Sequence, residues 1–155
     1  VLDAGSNSNN VVHGSTGLTL AKALTVYEAF GEGDVPDDGQ RYFVVSPAGW
    51  ADLLQIDQFS RMEYVGEADL PYAGCLTAKR WLGFMWFTHS GLSISGTTRD
   101  CHAYHKSAVG LAMGSDIRSE INYIPEKVSN LITSYMSMGA VMIDNNGAIE
   151  CQITE

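Results

Sequence analysis

Residues 19–30 read TLAKALTVYEAF, residues 31–40 read GEGDVPDDGQ, and residues 41–55 read RYFVVSPAGWADLLQ. In the first segment Leu20, Ala23, Leu24, Tyr27 and Phe30 recur at three- and four-residue spacing, which predicts a helix with one apolar stripe. Thr19 is placed to cap its start, and Gly31 to end it by accepting a left-handed conformation. The second segment, with Gly33, Pro36, Gly39 and four acids, reads as a turn. In the third, Tyr42, Phe43, Val44 and Val45 form a short run of β-formers, as expected of a strand covered on both faces. Ser46 followed by Pro47 then starts a second helix, because proline supplies the helical φ and lacks only a donor that would go unpaired. Trp50, Leu53 and Leu54 fall on one side of that helix.

Outward from this unit, residues 1–18 are rich in Ser, Asn and Gly and read as a flexible lead-in. Residues 55–75 have no sustained period and are expected to be a long irregular loop carrying Phe59, Tyr64 and Tyr72. A loop of that length is usually functional or held by a partner; the ordinary alternative is that its rings pack it onto its own domain. Phe84–Thr88 is expected to be a central strand, after a break at Gly83. Residues 101–106 and 108–113 read as two short strands around a turn, or as one bent strand, with a further turn at 114–116. Ile117, Ser119, Ile121 and Tyr123 alternate with polar residues, as in a half-buried strand ended by Pro125. Residues 128–138 fit a helical face or a strand, with strand preferred. The DNNG of 144–147 is expected to be a hairpin turn joining 140–143 to the strand of Ile149, Cys151 and Ile153.

The order helix, turn, buried strand and SPAGWADLL resembles the major capsid proteins of tailed bacteriophages. WLGFMWFTHSGL (81–92), CHAYHKSAVGLAMG (101–114), IRSEINYIPEK (117–127) and the closing GAVMIDNNGAIECQI (139–153) continue the likeness over residues 19–153. It is one of order and spacing rather than of any single motif. It implies an α+β fold of mixed sheets with a spine helix, the Hong Kong 97-like capsid fold. Residues 19–50 and 131–155 would then form the peripheral domain and 51–130 the axial domain. It further implies a structural head protein of a phage or prophage, not an enzyme, made in the host cytoplasm and resident in the virion. Copies of itself would be its partners in an icosahedral shell, with Phe59, Tyr64, Tyr72 and Trp81 as candidate subunit contacts. The family's N-terminal arm and extended hairpin loop do not fit before Thr19. The sequence therefore reads as the C-terminal part, a fragment or a shortened member, expected to stay a monomer or small ring at micromolar concentration.

A chain of 155 residues suits one compact domain that buries roughly 70% of its unfolded surface. Eighteen acids against nine bases give a net charge of −9. Such a surface repels phosphate backbones, so sequence-specific nucleic-acid binding is not expected, and a shell lined by acid would release its packaged duplex. No apolar run reaches the length of a membrane span, so no membrane partner is expected. Cys75, Cys101 and Cys151 are an odd number without close pairing, which argues against a disulfide framework.

Few residues suggest chemistry. Cys101, His102 and His105 carry metal-ligating atoms, but on a strand neighbours face opposite ways and Cys101 lies roughly 13 Å from His105. Gly91-Leu-Ser93 approaches a nucleophile elbow, yet lacks the closing glycine and the following helix. A thiolate enzyme pairing Cys75 or Cys101 with a histidine such as His89 is the rival functional class, and an acidic binding module of a phage particle is the third. Asp144 and Asn146 imitate a calcium loop that fails at Ile149, where glycine is needed. Glu32, Asp34, Asp37 and Asp38 read as a solvated turn. No cofactor is expected.

Overall fold

The computed structural model describes residues 9–61 and 78–155. Helix α1 spans Leu20–Glu32, and its cap is as expected: the Thr19 hydroxyl accepts the Lys22 backbone N–H at 3.4 Å. It ends at Gly33 rather than Gly31, with the Gly33 N–H donating to the Ala29 carbonyl at 3.0 Å. The buried face is Lys22, Ala23, Val26 and Phe30. Leu24 and Tyr27 are 46% and 42% exposed, so the stripe is rotated from the one their size suggested. Ala23, Val26 and Phe30 face the core, and Leu24 and Tyr27 remain at the rim.

Strand β2, Arg41–Val45, follows the acidic turn. Its burial alternates: Arg41, Phe43 and Val45 are enclosed, while Tyr42 and Val44 are half-buried. The strand is thus covered fully on one face only, and not on both as its unbroken β-former run implied. Helix α2, Pro47–Leu54, starts where expected, with the Ser46 hydroxyl accepting the Gly49 N–H at 3.0 Å. A four-residue helix α3, Asp57–Ser60, occupies the start of the expected loop.

The remaining strands of the main sheet are β1 (Asn10–Val11), β3 (Ala78–Trp81), β4 (Phe84–Thr88), β5 (Ile94–Ser95), β6 (Thr98–His105) and β9 (Ala148–Thr154). Their order is β1-β9-β6-β2-β4-β3, with β5 added beside β6. β2 runs parallel to β4, Phe43 beside Trp86, and antiparallel to β6, Phe43 beside Ala103. β6 and β9 run antiparallel with Cys101 opposite Cys151. Phe30, Phe43, Phe84 and Trp86 meet on one face: Phe43 stacks on Trp86 at 4.0 Å, and Phe30 meets Phe84 edge-on at 5.2 Å. Each such enclosed side chain contributes about 1.5–3 kcal/mol of burial free energy.

The chain divides into two compact units. The first takes in Val109 and the described residues before it, together with Met142–Glu155; the second is Gly110–Val141. This division does not follow the boundaries at 50/51 and 130/131 read from the sequence. β2, β4, β6 and β9 share one ladder, so residues 41–45 and 84–105 fold as one body.

The second unit is a hairpin of β7 (Val109–Ile124) and β8 (Ser129–Met142), which pair only with each other. The strand preferred over 128–138 is present, and Pro125 ends β7 in a short 3-10 turn. The expected turn at 114–116 is absent, since β7 runs straight through Gly114. Ile117, Ile121 and Tyr123 are exposed rather than half-buried. DNNG is not a hairpin turn either: β8 pairs with β7, whereas β9 pairs with β6 and β1. Its Asp144 side chain accepts the Asn146 N–H at 3.0 Å, so the turn chemistry is local and links strands of different sheets.

Candidate functional site

The polar residues that invite a catalytic reading are built into the sheet. Cys101 and Cys151 are fully buried, and burial pushes each thiol up to about 12. Thiols so desolvated are protonated and inert at neutral pH. His102 stands opposite Glu150, on the other side of the strand from Cys101. No group of three metal-ligating residues occurs among the described residues. Cys75 lies outside them. His89 accepts the Gly91 N–H at 3.0 Å, and residues 94–95 form β5 where a nucleophile elbow would need a helix.

His105 is more instructive. Its Nδ1 accepts the Ser107 hydroxyl at 2.7 Å and the Ser107 N–H at 3.3 Å, which leaves the proton on Nε2 to be donated to Asp38 at 3.0 Å. The order Ser, His, Asp mimics a hydrolase chain. The Ser107 N–H is consumed by the ring rather than offered to an oxyanion, so the imidazole caps the 3-10 turn over Lys106–Ala108. Through this bond His105 holds the Asp38 carboxyl below the usual carboxylate range. Of the four turn acids, Asp38 is thus tied to the sheet. Glu155, which falls at the twelfth place of the calcium-like loop counted from Asp144, pairs with Arg99 at 3.1 Å.

Three buried cations went unread in the sequence. Lys22 donates to the carbonyls of His13, Thr16 and Gly17, each at 2.8 Å, and lies 3.2 Å from that of Gln152. Arg41 donates to the Pro36 and Val35 carbonyls and lies over the Phe30 ring. Lys79 donates to the Phe59 carbonyl and sits over that ring. Each donates to main-chain carbonyls, and Lys22 and Arg41 fasten the loops at 13–17 and 35–36 in this way. A lysine inside a stripe-bearing helix gives no sequence signal of burial.

Of the four candidate subunit contacts, Phe59 is fully buried, its ring edge-on to Trp50 at 5.5 Å and to Trp81 at 5.3 Å. Its ring is enclosed within its own unit by the two tryptophans. Trp81 is part-buried against the same core. Tyr64 and Tyr72 lie outside the described residues.

Exposed apolar surface is concentrated on the hairpin. Ser119 and Ser134 hydroxyls hydrogen-bond at 2.8 Å, which puts them on one face of the ribbon. Alternation then places Leu111, Met113, Ile117, Ile121 and Tyr123 of β7 on that face with Ile132, Met136 and Met138 of β8. These eight are between 50% and 71% exposed. The other face holds Asp116, Arg118, Glu120 and Tyr135, whose hydroxyl donates to Glu120 at 3.1 Å, and the apolar Leu131 and Val141. At the tip Val128 is 79% exposed and left-handed, with φ 45°, an uncommon state for a β-branched residue.

The mixed sheet with its flanking helices and long ribbon is the fold of phage capsid subunits. A chain of a solved structure of Mycobacterium phage Che8 matches with a TM-score of 0.75 at 17% identity, over 97% of this chain and 54% of that one. The capsid of cyanophage P-SCSP1u matches at 0.67 and 17%, over 95% and 53%. The capsid of an empty GTA particle matches at 0.69 and 13%, over 94% and 50%. The chain thus spans about half the length of these capsid chains. The family model described as phage capsid protein matches residues 3–155, and the chain belongs to that family. No curated protein matches.

Proposed function

We propose that this chain is a structural subunit, a major capsid protein or part of one, that associates with copies of itself into the icosahedral head of a phage or prophage. The family match over residues 3–155 carries the reading. The subunit would be made in the host cytoplasm and reside in the virion. No catalytic role is assigned: the thiols are buried with raised pKa values, and the Ser107–His105–Asp38 chain has its amide donor turned inward. The net charge of −9 suits a shell protein that does not adhere to nucleic acid. We assign the seven-stranded unit as the body of the subunit, with the ribbon as a second compact unit of it.

The test is self-association of the purified chain. Sedimentation velocity over a concentration series, with negative-stain microscopy at the upper end, should show small rings forming as the concentration rises above the micromolar range. A chain that stays monomeric up to about 200 µM, well above the range of even weak specific interfaces, would refute the proposal.

A further inference from the structure

We propose that the Asn146-Gly147 dipeptide is a self-modifying site: the asparagine closes to a succinimide and opens to aspartate or isoaspartate, which loosens the joint between the end of α1 and the start of β9. The inference does not depend on the shell reading, because the only co-reactant is water.

The Gly147 backbone nitrogen attacks the Asn146 Cγ and gives up its proton, and the side-chain nitrogen leaves as ammonia. Water then opens the imide ring at one of its two carbonyls. The net change is an amide and a water for a carboxylate and an ammonium ion. Opening at one carbonyl gives aspartate; opening at the other routes the main chain through the side-chain carbon, as isoaspartate. A side chain on the following residue crowds the attack, and Asn146 alone among the seven asparagines precedes glycine. The others precede Ser8, Asn10, Val11, Tyr123, Leu131 and Asn146 itself.

The fold demands that glycine and leaves the dipeptide open. A Cβ on Gly147 would stand 2.6 Å from the Ala108 Cβ, so packing excludes a side chain there. Asn146 is exposed to water, and among the described residues its side-chain amide makes no hydrogen bond. Gly147 is fixed through its carbonyl, which accepts the His105 N–H at 2.8 Å. Its own N–H, the group that must attack, donates to no acceptor among the described residues. Asp38-Gly39 is the chain's other dipeptide open to this ring closure, and it is held shut. The Asp38 oxygens take the Gln40 N–H at 2.9 Å, and His105 Nε2 and the Gln40 side-chain amide at 3.0 Å each. These bonds hold the carboxyl ionised, and a carboxylate offers no leaving group.

The product acts on two elements of the main unit. The Asn146 Cβ lies 3.3 Å from where a Cβ on Gly33 would stand, and Gly33 closes the C-terminus of α1. Glu32 lines the same groove, of about 490 Å³, and Asp144 accepts the Asn146 N–H at 3.0 Å. A new carboxylate there joins two acids at the negative end of a helix, where each interaction is repulsive. Isoaspartate also lengthens the main chain just before Gly147, whose bond to His105 begins the β6–β9 ladder. Ammonia is lost to solvent, so conversion runs one way and the converted fraction records the age of the subunit.

The experiment incubates the purified chain at neutral pH, folded and in guanidinium chloride, and follows conversion by peptide mass spectrometry. Labelling by an isoaspartyl methyltransferase counts isoaspartate independently. In the folded chain Asn146 should convert ahead of every other asparagine, at least about 10-fold faster than Asn145 and no slower than about a tenth of its rate in guanidinium. Asp38 should convert in guanidinium alone. Asn146→Gln, which would need a larger ring, should stay unmodified and keep the parent's urea midpoint. Asn146→Asp and the aged parent, separated by ion exchange, should both unfold at lower urea. Slower conversion in the folded chain than that tenth would mean that the fold withholds the nitrogen, and overturns the inference. So would conversion of Asn145 or Asp38 before Asn146, or midpoints of Asn146→Asp and the aged chain equal to the parent's. A chain broken after Asn146 would show the side-chain nitrogen attacking its own carbonyl instead, and also overturns it. None of these results bears on the shell reading.

Discussion

Replacing Lys22 with Met should loosen the lead-in segment and destabilise the whole main unit. The ammonium has three protons and four carbonyls within reach: His13, Thr16 and Gly17 at 2.8 Å and Gln152 at 3.2 Å. These carbonyls belong to two stretches far apart in the chain, so the side chain ties residues 13–17 to β9. Hydrogen bonds to a charged group contribute about 1.5–3 kcal/mol each, but burial opposes the charge and lowers the Lys22 pKa. Part of the carbonyl set regains water once the segment moves. The net loss for Lys22→Met is then about 2–4 kcal/mol. Met and Lys have nearly equal helix propensity, so the helix itself does not confound the comparison. Urea unfolding followed by tryptophan fluorescence should show a lower midpoint at unchanged slope. Amide exchange should quicken first at residues 10–18. A loss below about 0.5 kcal/mol, the level of an ordinary surface substitution, would mean that the ammonium is not held as described.

Trp50→Ala should cost about 2–3 kcal/mol, less than the 3–5 of a fully enclosed aromatic, since Trp50 is only part-buried against Phe59; a fully enclosed value in chemical denaturation would contradict this. In a Cys75→Ser background, iodoacetamide at neutral pH should label Cys101 and Cys151 only after unfolding, and rapid labelling of the native chain would revive the thiol-enzyme reading. The Arg99 hydrogen bonds hold Glu155 below its ordinary value of 4.5, so its folded pKa is depressed. Its stabilising contribution is present above 4.5 and is lost as pH falls through the lowered value, so the stability gap between the parent and Glu155→Gln should shrink below about pH 4.5. A gap that widens on acidification would reverse the assigned sign.

Local signals were legible wherever chemistry acts over a few residues. Thr19 and Ser46-Pro47 announce helix starts because a cap needs only its own next turn. Phe84–Thr88 was likewise readable from side-chain type, whereas 128–138 fitted both a helical face and the strand that was preferred. Partner choice was not. The DNNG turn has hairpin residues, yet the strands on either side of it pair elsewhere: β8 folds back on its neighbour β7, and β9 reaches β6 across the whole ribbon. Burial of Lys22 depends on carbonyls of residues 13–17 and 152, and no periodicity encodes that convergence. Phe59 looked exposed because the two tryptophans that enclose it, Trp50 and Trp81, flank it from separate elements.

The ribbon leaves and rejoins the main unit at one point. Ala108 precedes β7, and its carbonyl accepts the Ile143 N–H at 2.8 Å just after β8 ends. β6 and β9, the strands before and after the excursion, are themselves antiparallel neighbours. Residues 109–142 are therefore a lengthened connection between two adjacent strands, with its gate held shut at the base. Adding or deleting two residues from each strand would change its reach by about 6.6 Å and keep every side chain on its original face. The length of the ribbon can thus be altered by insertion and deletion in steps of four residues, while the registers of the seven-stranded sheet stay as they are.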